Sequence, residues 1–282
     1  MAYVLSGFSD EYAPSLDEQI EGLQKLGIKY MELRFVDGIN VADLTDEQVQ
    51  TVYEKLQIAG IGVSSIGSPV GKIQLDDDFD AHVKKAERVF SIAQTFGCKY
   101  VRMFSFYLGE RTREESKSIV IERLRVLVAL AEKYGVTLCH ENEAKIYGEQ
   151  PEDCLALIKA LDGQMRCVFD MGNFRLDGAD PARAYELLKD YIEYFHIKDA
   201  TVAGEIVPCG EGDAKIEEIL QKHKTDKQVF VSLEPHLVAF TGLSALAGSE
   251  LTQKYSFANS REAFTYASNN MQAILTKVNG VK

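Results

Sequence analysis

No C-x-x-C pair occurs in the 282 residues, and the five cysteines, Cys98, Cys139, Cys154, Cys167 and Cys209, are odd in number. That pattern excludes a secreted disulfide framework and reads as reduced, partly buried thiols, most of them beside apolar residues. No stretch approaches the roughly 18 consecutive apolar residues of a membrane span, and the N-terminus has no basic region of the kind that opens a signal peptide. A membrane partner is therefore not expected, and the expected location is the cytoplasm. Positive charge is scarce as well: 31 Lys and Arg stand against 43 Asp and Glu, for a net charge of −12. A protein that neutralises phosphates shows the opposite balance, so nucleic acid is not an expected partner. No Pro/Ser-rich linker or low-complexity block interrupts the chain, which predicts one domain over residues 1–282.

What is present is ordinary globular material, 46% hydrophobic and 26% charged. Short apolar runs alternate with longer segments of helical period about eight times. The predicted strands are Tyr3–Ser9, Lys29–Arg34, Gly62–Gly67, Tyr100–Ser105, Val136–Glu141, Arg166–Asp170, Tyr194–Lys198 and Val229–Glu234. Between them lie helical faces such as Val120, Leu124, Leu127, Val128, Ala131 and Tyr134; the last helix repeats the pattern with Phe264, Ala267, Met271, Ile274 and Val278. Ser15 with Glu18 and Thr45 with Gln48 fit capping boxes, and Pro181 after Asp180 fits a helix start. Gly27, Gly60, Gly97 and Gly135 each sit where a helix ends before the next strand. Eight such βα units fit an α/β (β/α)₈ TIM barrel of this length. The alternative is a doubly wound open sheet, which calls for a Gly-rich phosphate turn after the first strand. Ser6-Gly7-Phe8-Ser9-Asp10 lacks G-x-G-x-x-G, and the barrel is favoured.

In such a barrel a polar side chain at the C-terminal end of a strand lies over the mouth. Glu141, Asp170, His196 and Glu234 end four consecutive predicted strands, each about one βα unit from the last. Burying so many ionisable groups among apolar residues is costly unless they are paired or bind a cation, and here carboxylates outnumber bases. One divalent metal ion is the economical explanation. Three carboxylates and an imidazole suit Mn²⁺, Mg²⁺ or Co²⁺, with Zn²⁺ and Fe²⁺ also compatible, and are too oxygen-rich for a closed structural zinc site. Glu143, on the same side of an extended chain as Glu141, is an alternative ligand.

Met31-Glu32-Leu33-Arg34, Ser65 to Lys72, Glu141-Asn142, Phe169 to Asn173, His196-Ile197-Lys198-Asp199, Pro208 to Asp213 and Leu233-Glu234-Pro235 follow one another in order on successive units. Together they give the chain a resemblance, nearly end to end, to the sugar phosphate isomerase/epimerase family of xylose isomerase-like TIM barrels. That group includes tagatose-type 3-epimerases, hydroxypyruvate isomerases, inosose dehydratases and an endonuclease IV branch. The resemblance implies that Glu141, Asp170, His196 and Glu234 hold one divalent metal, and that Glu141 and Glu234 serve as acid and base on opposite sides of a small carbohydrate substrate. It also implies Glu32, Arg102, Asn142, Asn173 and His236 as substrate contacts. Asn173 stands where endonuclease members carry a histidine, and the chain has five histidines in all, which argues against a three-zinc nuclease. The implied reaction is isomerisation or epimerisation through an enediolate. A dehydratase on the same site is the nearest rival, and a non-catalytic sugar-binding barrel the alternative of another class.

The remaining features divide between site and scaffold. Lys198, on the same face as His196, is read either as a stabiliser or proton donor at the site or as a salt-bridge partner. His140 points opposite to Glu141 and is expected to be structural; His82 and His223 are expected on polar helix surfaces with no role. Asp76-Asp77-Asp78 lacks calcium-loop spacing and reads as a solvated helix start. Lys72 in the Ser68–Lys72 loop is thin support for a phosphorylated substrate. The segment from Leu237 to Ala258, with Phe240, Tyr255 and Phe257, is expected to cap the site or to form a contact between subunits of a homo-oligomer.

Overall fold

The computed structural model describes residues 3–223, 225–238, 252–253 and 255–280. Eight parallel strands carry the architecture: β1 (Tyr3–Gly7), β2 (Tyr30–Leu33), β3 (Gly62–Ile66), β4 (Tyr100–Met103), β5 (Thr137–Glu141), β6 (Arg166–Asp170), β7 (Ile192–Ile197) and β8 (Val229–Leu233). Their order around the sheet is β1-β8-β7-β6-β5-β4-β3-β2, so each crossover leads to the neighbouring strand and no switch point exists. This is the (β/α)₈ barrel, and the doubly wound alternative is excluded. The helices between and after the strands are α1 (Leu16–Lys25), α2 (Asp46–Ala59), α3 (Phe79–Thr95), α4 (Arg113–Lys133), α5 (Pro151–Ala160), α6 (Met171–Leu176), α7 (Pro181–Leu188), α8 (Ile216–Lys222) and α9 (Ser260–Val278). Among the described residues no helix is long and apolar enough to cross a membrane.

The strands are buried on both faces, as parallel strands under a helical layer must be, which is why they read as continuous apolar runs. Thr45 and Gln48 form the reciprocal box at the start of α2, and Asp180 caps α7 with Pro181 in its first turn. The four junction glycines adopt φ between 61° and 69°, the left-handed conformation that ends a helix at no steric cost. Ser15 differs from expectation: its side chain caps nothing, and the Leu16 amide donates instead to Asp37 Oδ1 at 2.9 Å. The reciprocal half of the box is lost because the Glu18 carboxylate pairs with Arg261 of α9, while the hairpin Phe35–Val36/Ile39–Asn40 brings Asp37 over the first amide of the helix.

Several strands end one or two residues before the predicted boundary, because ladder pairing stops while the side-chain alternation continues. Arg34, Lys198 and Glu234 therefore stand just beyond the last paired residues of β2, β7 and β8. Asp76, Asp77 and Asp78 are exposed, and Asp78 caps α3 by accepting from the Ala81 amide. His82 and His223 depart from expectation: both are buried. His223 packs edge-on against Phe195 and Tyr185, with ring centroids 5.1 and 6.0 Å away. Their polar sequence neighbours hide that other segments cover these two positions.

The cylinder has one seam. No ladder hydrogen bonds join β1 to β2 among the described residues. Side chains span the gap instead. Arg34, past β2, donates from Nε to Asp10 Oδ2 (2.9 Å) and from Nη2 to Glu11 Oε1 (3.1 Å), both just after β1, and from Nη1 to Glu234 Oε1 (2.7 Å) after β8. All four groups are essentially excluded from solvent. Removing one partner from such a network leaves uncompensated buried charge. Arg34→Met is therefore expected to lower the unfolding free energy at pH 7 by about 3–5 kcal/mol in urea titrations; a loss below about 1 kcal/mol would show that the clamp does not hold the seam.

Candidate active site

The parallel register sets the polar strand ends at one level. Asp170 pairs with His196 across β6 and β7, and Ser232, two residues before Glu234, pairs with His196 across β8 and β7. The result is that one ligand atom each from Glu141, Asp170, His196 and Glu234 all lie within 4.8 Å of one another, in a fully buried group. His196 Nδ1 is 2.8 Å from Glu141 Oε1 and 3.6 Å from Glu234 Oε2. Glu143, the alternative on the fifth strand, lies outside the group and pairs with Lys72 at 2.9 Å. A second group of three, Glu11, Glu234 and His236, shares Glu234, and Arg34 reaches into it.

Three buried cations neutralise part of this charge. Arg102 Nη1 is 3.2 Å from Glu141 Oε2, and Lys198 Nζ is 3.3 Å from Asp170 Oδ2, 3.4 Å from Glu234 Oε2 and 2.9 Å from Asn173 Oδ1. Arg34 holds the other oxygen of Glu234. Against these stand six buried carboxylates: Asp10, Glu11, Glu32, Glu141, Asp170 and Glu234. The imbalance shows in the acidities. Burial, reinforced by Glu141 and Glu234, pushes Asp170 up to about 7 against the pull of Lys198, and burial raises Glu11 to about 8 despite Arg34. Burial disfavours the imidazolium of His196, but Glu32 and Glu141 overcome it and raise that group to about 10. Burial likewise opposes ionisation of Glu141 and Glu234, yet His196 and Arg102 hold Glu141 low, and Lys198 and His236 hold Glu234 well below the carboxylate range. Raised proton affinity on Asp170 and His196 thus offsets negative charge among these four donors, as one divalent cation would. Glu141 Oε2 is buried and meets Arg102 Nη1 at 3.2 Å without a well-aligned hydrogen bond, which leaves it a lone pair for a cation. The donor set fits a hard or borderline divalent ion.

The other expected site residues surround this group but differ in what they touch. Asn142 braces β5 against β6: its amide exchanges hydrogen bonds with the Asp170 backbone at 3.0 and 3.1 Å, and Asn173 donates to the Asn142 carbonyl at 2.9 Å. Asp170 in turn caps α6 by accepting from the Asn173 amide. Glu32 lies beneath His196 and meets it and Tyr194. His236, in the left-handed region at φ 49°, puts Nε2 3.4 Å from oxygens of both Glu11 and Glu234. His140 bonds Ser105 away from the group, as a scaffold residue does. The Asp199 carboxylate accepts from the amides of Ala200, Gly210, Gly212 and Ala214, folding the Pro208–Asp213 run around it. Asp10, Glu11, Arg34 and Tyr194 were not singled out from sequence. The first three carried a usable signal, charges just past apolar strands; Tyr194 carried none. Most of the Leu237–Ala258 segment, including Phe240, lies outside the described residues. Tyr255 and Phe257 pack beside α9, where Tyr255 bonds Glu211 and Phe257 meets Tyr266 at 5.7 Å.

A family model described as a xylose isomerase-like TIM barrel matches residues 20–245. A 3-dehydroshikimate dehydratase of Bacillus anthracis is 22% identical over 182 residues, 57% of this chain; the match spans 65% of that relative's length. Among solved structures, a D-tagatose 3-epimerase-like protein superposes with a TM-score of 0.76 at 18% identity, covering 98% of each chain. A xylose isomerase-like TIM barrel protein of Mycobacterium smegmatis in complex with magnesium does so at 0.70 and 17% identity, covering 98% of this chain and 97% of that one. At these identities the structural likeness speaks for the fold.

Beside the site, the Ser68–Lys72 loop is seated by His82 of α3, whose Nε2 accepts from the Gly71 amide at 2.8 Å. A Cβ on Gly71 would stand 2.0 Å from the Phe104 carbonyl oxygen, so only glycine fits there. Burial, helped by Lys85 and Arg123 against Asp77, lowers His82 from 6.5 to about 4. Between those values the unfolded chain binds a proton that the folded chain refuses, so this contribution is whole above pH 6.5 and is lost as pH falls toward 4. The wild type is expected to lose about 2 kcal/mol more than His82→Gln over that range, because glutamine supplies an acceptor that does not titrate. Parallel pH–stability curves for the two proteins would refute the assignment.

Proposed function

The chain belongs to the xylose isomerase-like TIM-barrel family, and on that premise we propose that it is a metal-dependent isomerase or epimerase of a small sugar, sugar phosphate or polyol ketone, working through an enediolate. The observation that carries this reading is the convergence of Glu141, Asp170, His196 and Glu234 from four successive strands into one buried group. A divalent cation held by these four residues supplies fixed positive charge for the carbonyl and hydroxyl oxygens of a substrate.

The chain's own residues supply the rest. Glu141 and Glu234 are held ionised by neighbouring cations, so either can take a proton from the carbon next to a carbonyl; the carboxyl group so formed can give that proton back to the adjacent carbon, whereas delivery to the opposite face needs the other glutamate to take a proton from solvent first. Arg34 fixes Glu234 and Arg102 fixes Glu141, which limits each carboxylate to one orientation. Lys198, whose ammonium is strengthened by Asp170 and Glu234 despite burial, sits where it can steady a developing oxyanion. Arg102 and His236 stand against the carboxylates of the group and are the side chains offered to substrate hydroxyls, whereas Asn173 is taken up by Asn142 and Lys198. Similar solved structures include sugar epimerases, with which this reaction class is compatible.

A dehydratase is the second reading, and Lys198 favours it. The same proton abstraction followed by loss of a β-hydroxyl builds negative charge on the departing oxygen, and a buried ammonium beside Glu234 can hydrogen-bond to that oxygen as it leaves. The dehydratase among its relatives points the same way. In both readings the partner is a small carbohydrate-like molecule.

Protein purified without chelator is expected to carry about one divalent ion per chain, bound more weakly in Glu234→Gln and His196→Ala. With Mn²⁺ or Mg²⁺ restored, a screen of ketoses, ketose phosphates and cyclic polyol ketones in D₂O should show deuterium at the reacting carbon, with Glu234→Gln slower by about 10²–10⁴-fold. Formation of an unsaturated product instead selects the dehydratase. A protein that binds no ion, with or without supplement, would end the metal reading and bring the sugar-binding barrel forward.

A further inference from the structure

We infer that Glu32 is a positioning residue for the cation site: its carboxylate, held by Tyr194 and Ser65, fixes the His196 imidazole so that Nδ1 faces Glu141, Asp170 and Glu234. The inference rests on the metal reading above and adds to it the layer of the barrel interior on the far side of the His196 ring.

The His196 ring has two distinct sides. Nδ1 faces the four-residue group, 2.8 Å from Glu141, while Nε2 is 3.0 Å from Glu32 Oε2 on the opposite side. Glu32 Oε1 accepts from the Tyr194 hydroxyl at 3.0 Å. The Tyr194 oxygen is 2.8 Å from Ser65 Oγ, which also reaches the Tyr100 carbonyl at 3.3 Å. With the Tyr194 proton given to Glu32, the only proton left for the Ser65–Tyr194 contact is that of Ser65. The chain therefore runs one way, from Ser65 to Tyr194 to Glu32, with His196 Nε2–H as the second donor.

Three strands build this relay. Tyr194 and His196 are two residues apart on β7 and point inward from successive layers; Glu32 comes from β2 and Ser65 from β3. Every member is excluded from solvent, so each hydrogen bond acts in a low-dielectric interior. The rings of Phe8 and Tyr194 meet His196 edge-on at centroid distances of 5.1 and 5.5 Å and block rotation of its plane. A carboxylate that accepts from one imidazole nitrogen favours the tautomer protonated there. It leaves the other nitrogen as a lone-pair donor and makes it more basic. Both oxygens of Glu32 are engaged in this way, which sets it apart from a substrate contact.

The test titrates Co²⁺ alone into wild type, Glu32→Gln and Tyr194→Phe, reading affinity by calorimetry and coordination by the visible ligand-field bands. Glu32→Gln is isosteric but uncharged, so a packing role leaves its Co²⁺ affinity at the wild-type level, whereas positioning predicts a loss of about 10- to 100-fold with altered bands. Tyr194→Phe is expected to shift affinity in the same direction by less. Unchanged affinity in Glu32→Gln overturns the inference while the metal reading stands. Absence of Co²⁺ binding by the wild type overturns both. If Glu32→Gln does not fold, Tyr194→Phe decides: wild-type affinity there overturns the inference.

Discussion

Everything at the mouth of this barrel follows from the burial of six carboxylates at one end of a parallel sheet. Carboxylates cannot remain ionised among apolar strands unless each meets a cation or a hydrogen-bond donor. Arg34, Arg102 and Lys198 answer part of the demand, and each sits against a residue of the four-donor group. The remaining negative charge is met by raised proton affinity on Asp170, Glu11 and His196. Buried carboxylates whose proton affinity is raised in this way favour a divalent cation, which would compete with protons on Asp170 and His196.

The same charges close the scaffold. The sheet lacks ladder hydrogen bonds between β1 and β2, and the Arg34 clamp joins residues following β1, β2 and β8 across that gap. Closure of the barrel and orientation of Glu234 thus share one guanidinium. Arginine suits this position because its planar fork can serve three carboxylates at once, which a lysine ammonium on a flexible stem does with far less geometric definition. Below the clamp, the Ser65–Tyr194–Glu32 relay ties β3, β7 and β2 to the His196 ring, so the interior layer supports the site from the side opposite to the mouth.

Division of labour within motifs is also visible. In His196-Ile197-Lys198-Asp199, alternate side chains face the mouth: His196 and Lys198 join the charged group, while Asp199 turns away and gathers four backbone amides of the following loop. In Glu141-Asn142, the glutamate enters the group and the asparagine locks β5 to β6. The asparagines are occupied by the frame around the site, which explains why they recur beside carboxylates whose position must not drift.

The barrel was legible from local signals alone. Alternation of apolar runs with helical faces, the Thr45–Gln48 box and four glycines at helix ends are short-range preferences, and the fold agrees with each. The order of Glu141, Asp170, His196 and Glu234 along the chain was enough to bring them to one end, because a βα repeat puts every strand end on the same side. What only the tertiary structure decided is how those side chains share their partners. Glu143 has the same parity as Glu141 but lies two residues past the end of β5, where it pairs with Lys72 from a loop about seventy residues earlier. His82 lies among polar neighbours yet seats a loop, and Glu18 turns from Ser15 to Arg261, since burial and a distant partner outweigh local pattern. Charge balance in a buried cluster is a sum over groups scattered from Asp10 to His236. No window of sequence contains it, and it exists only once the strands have closed.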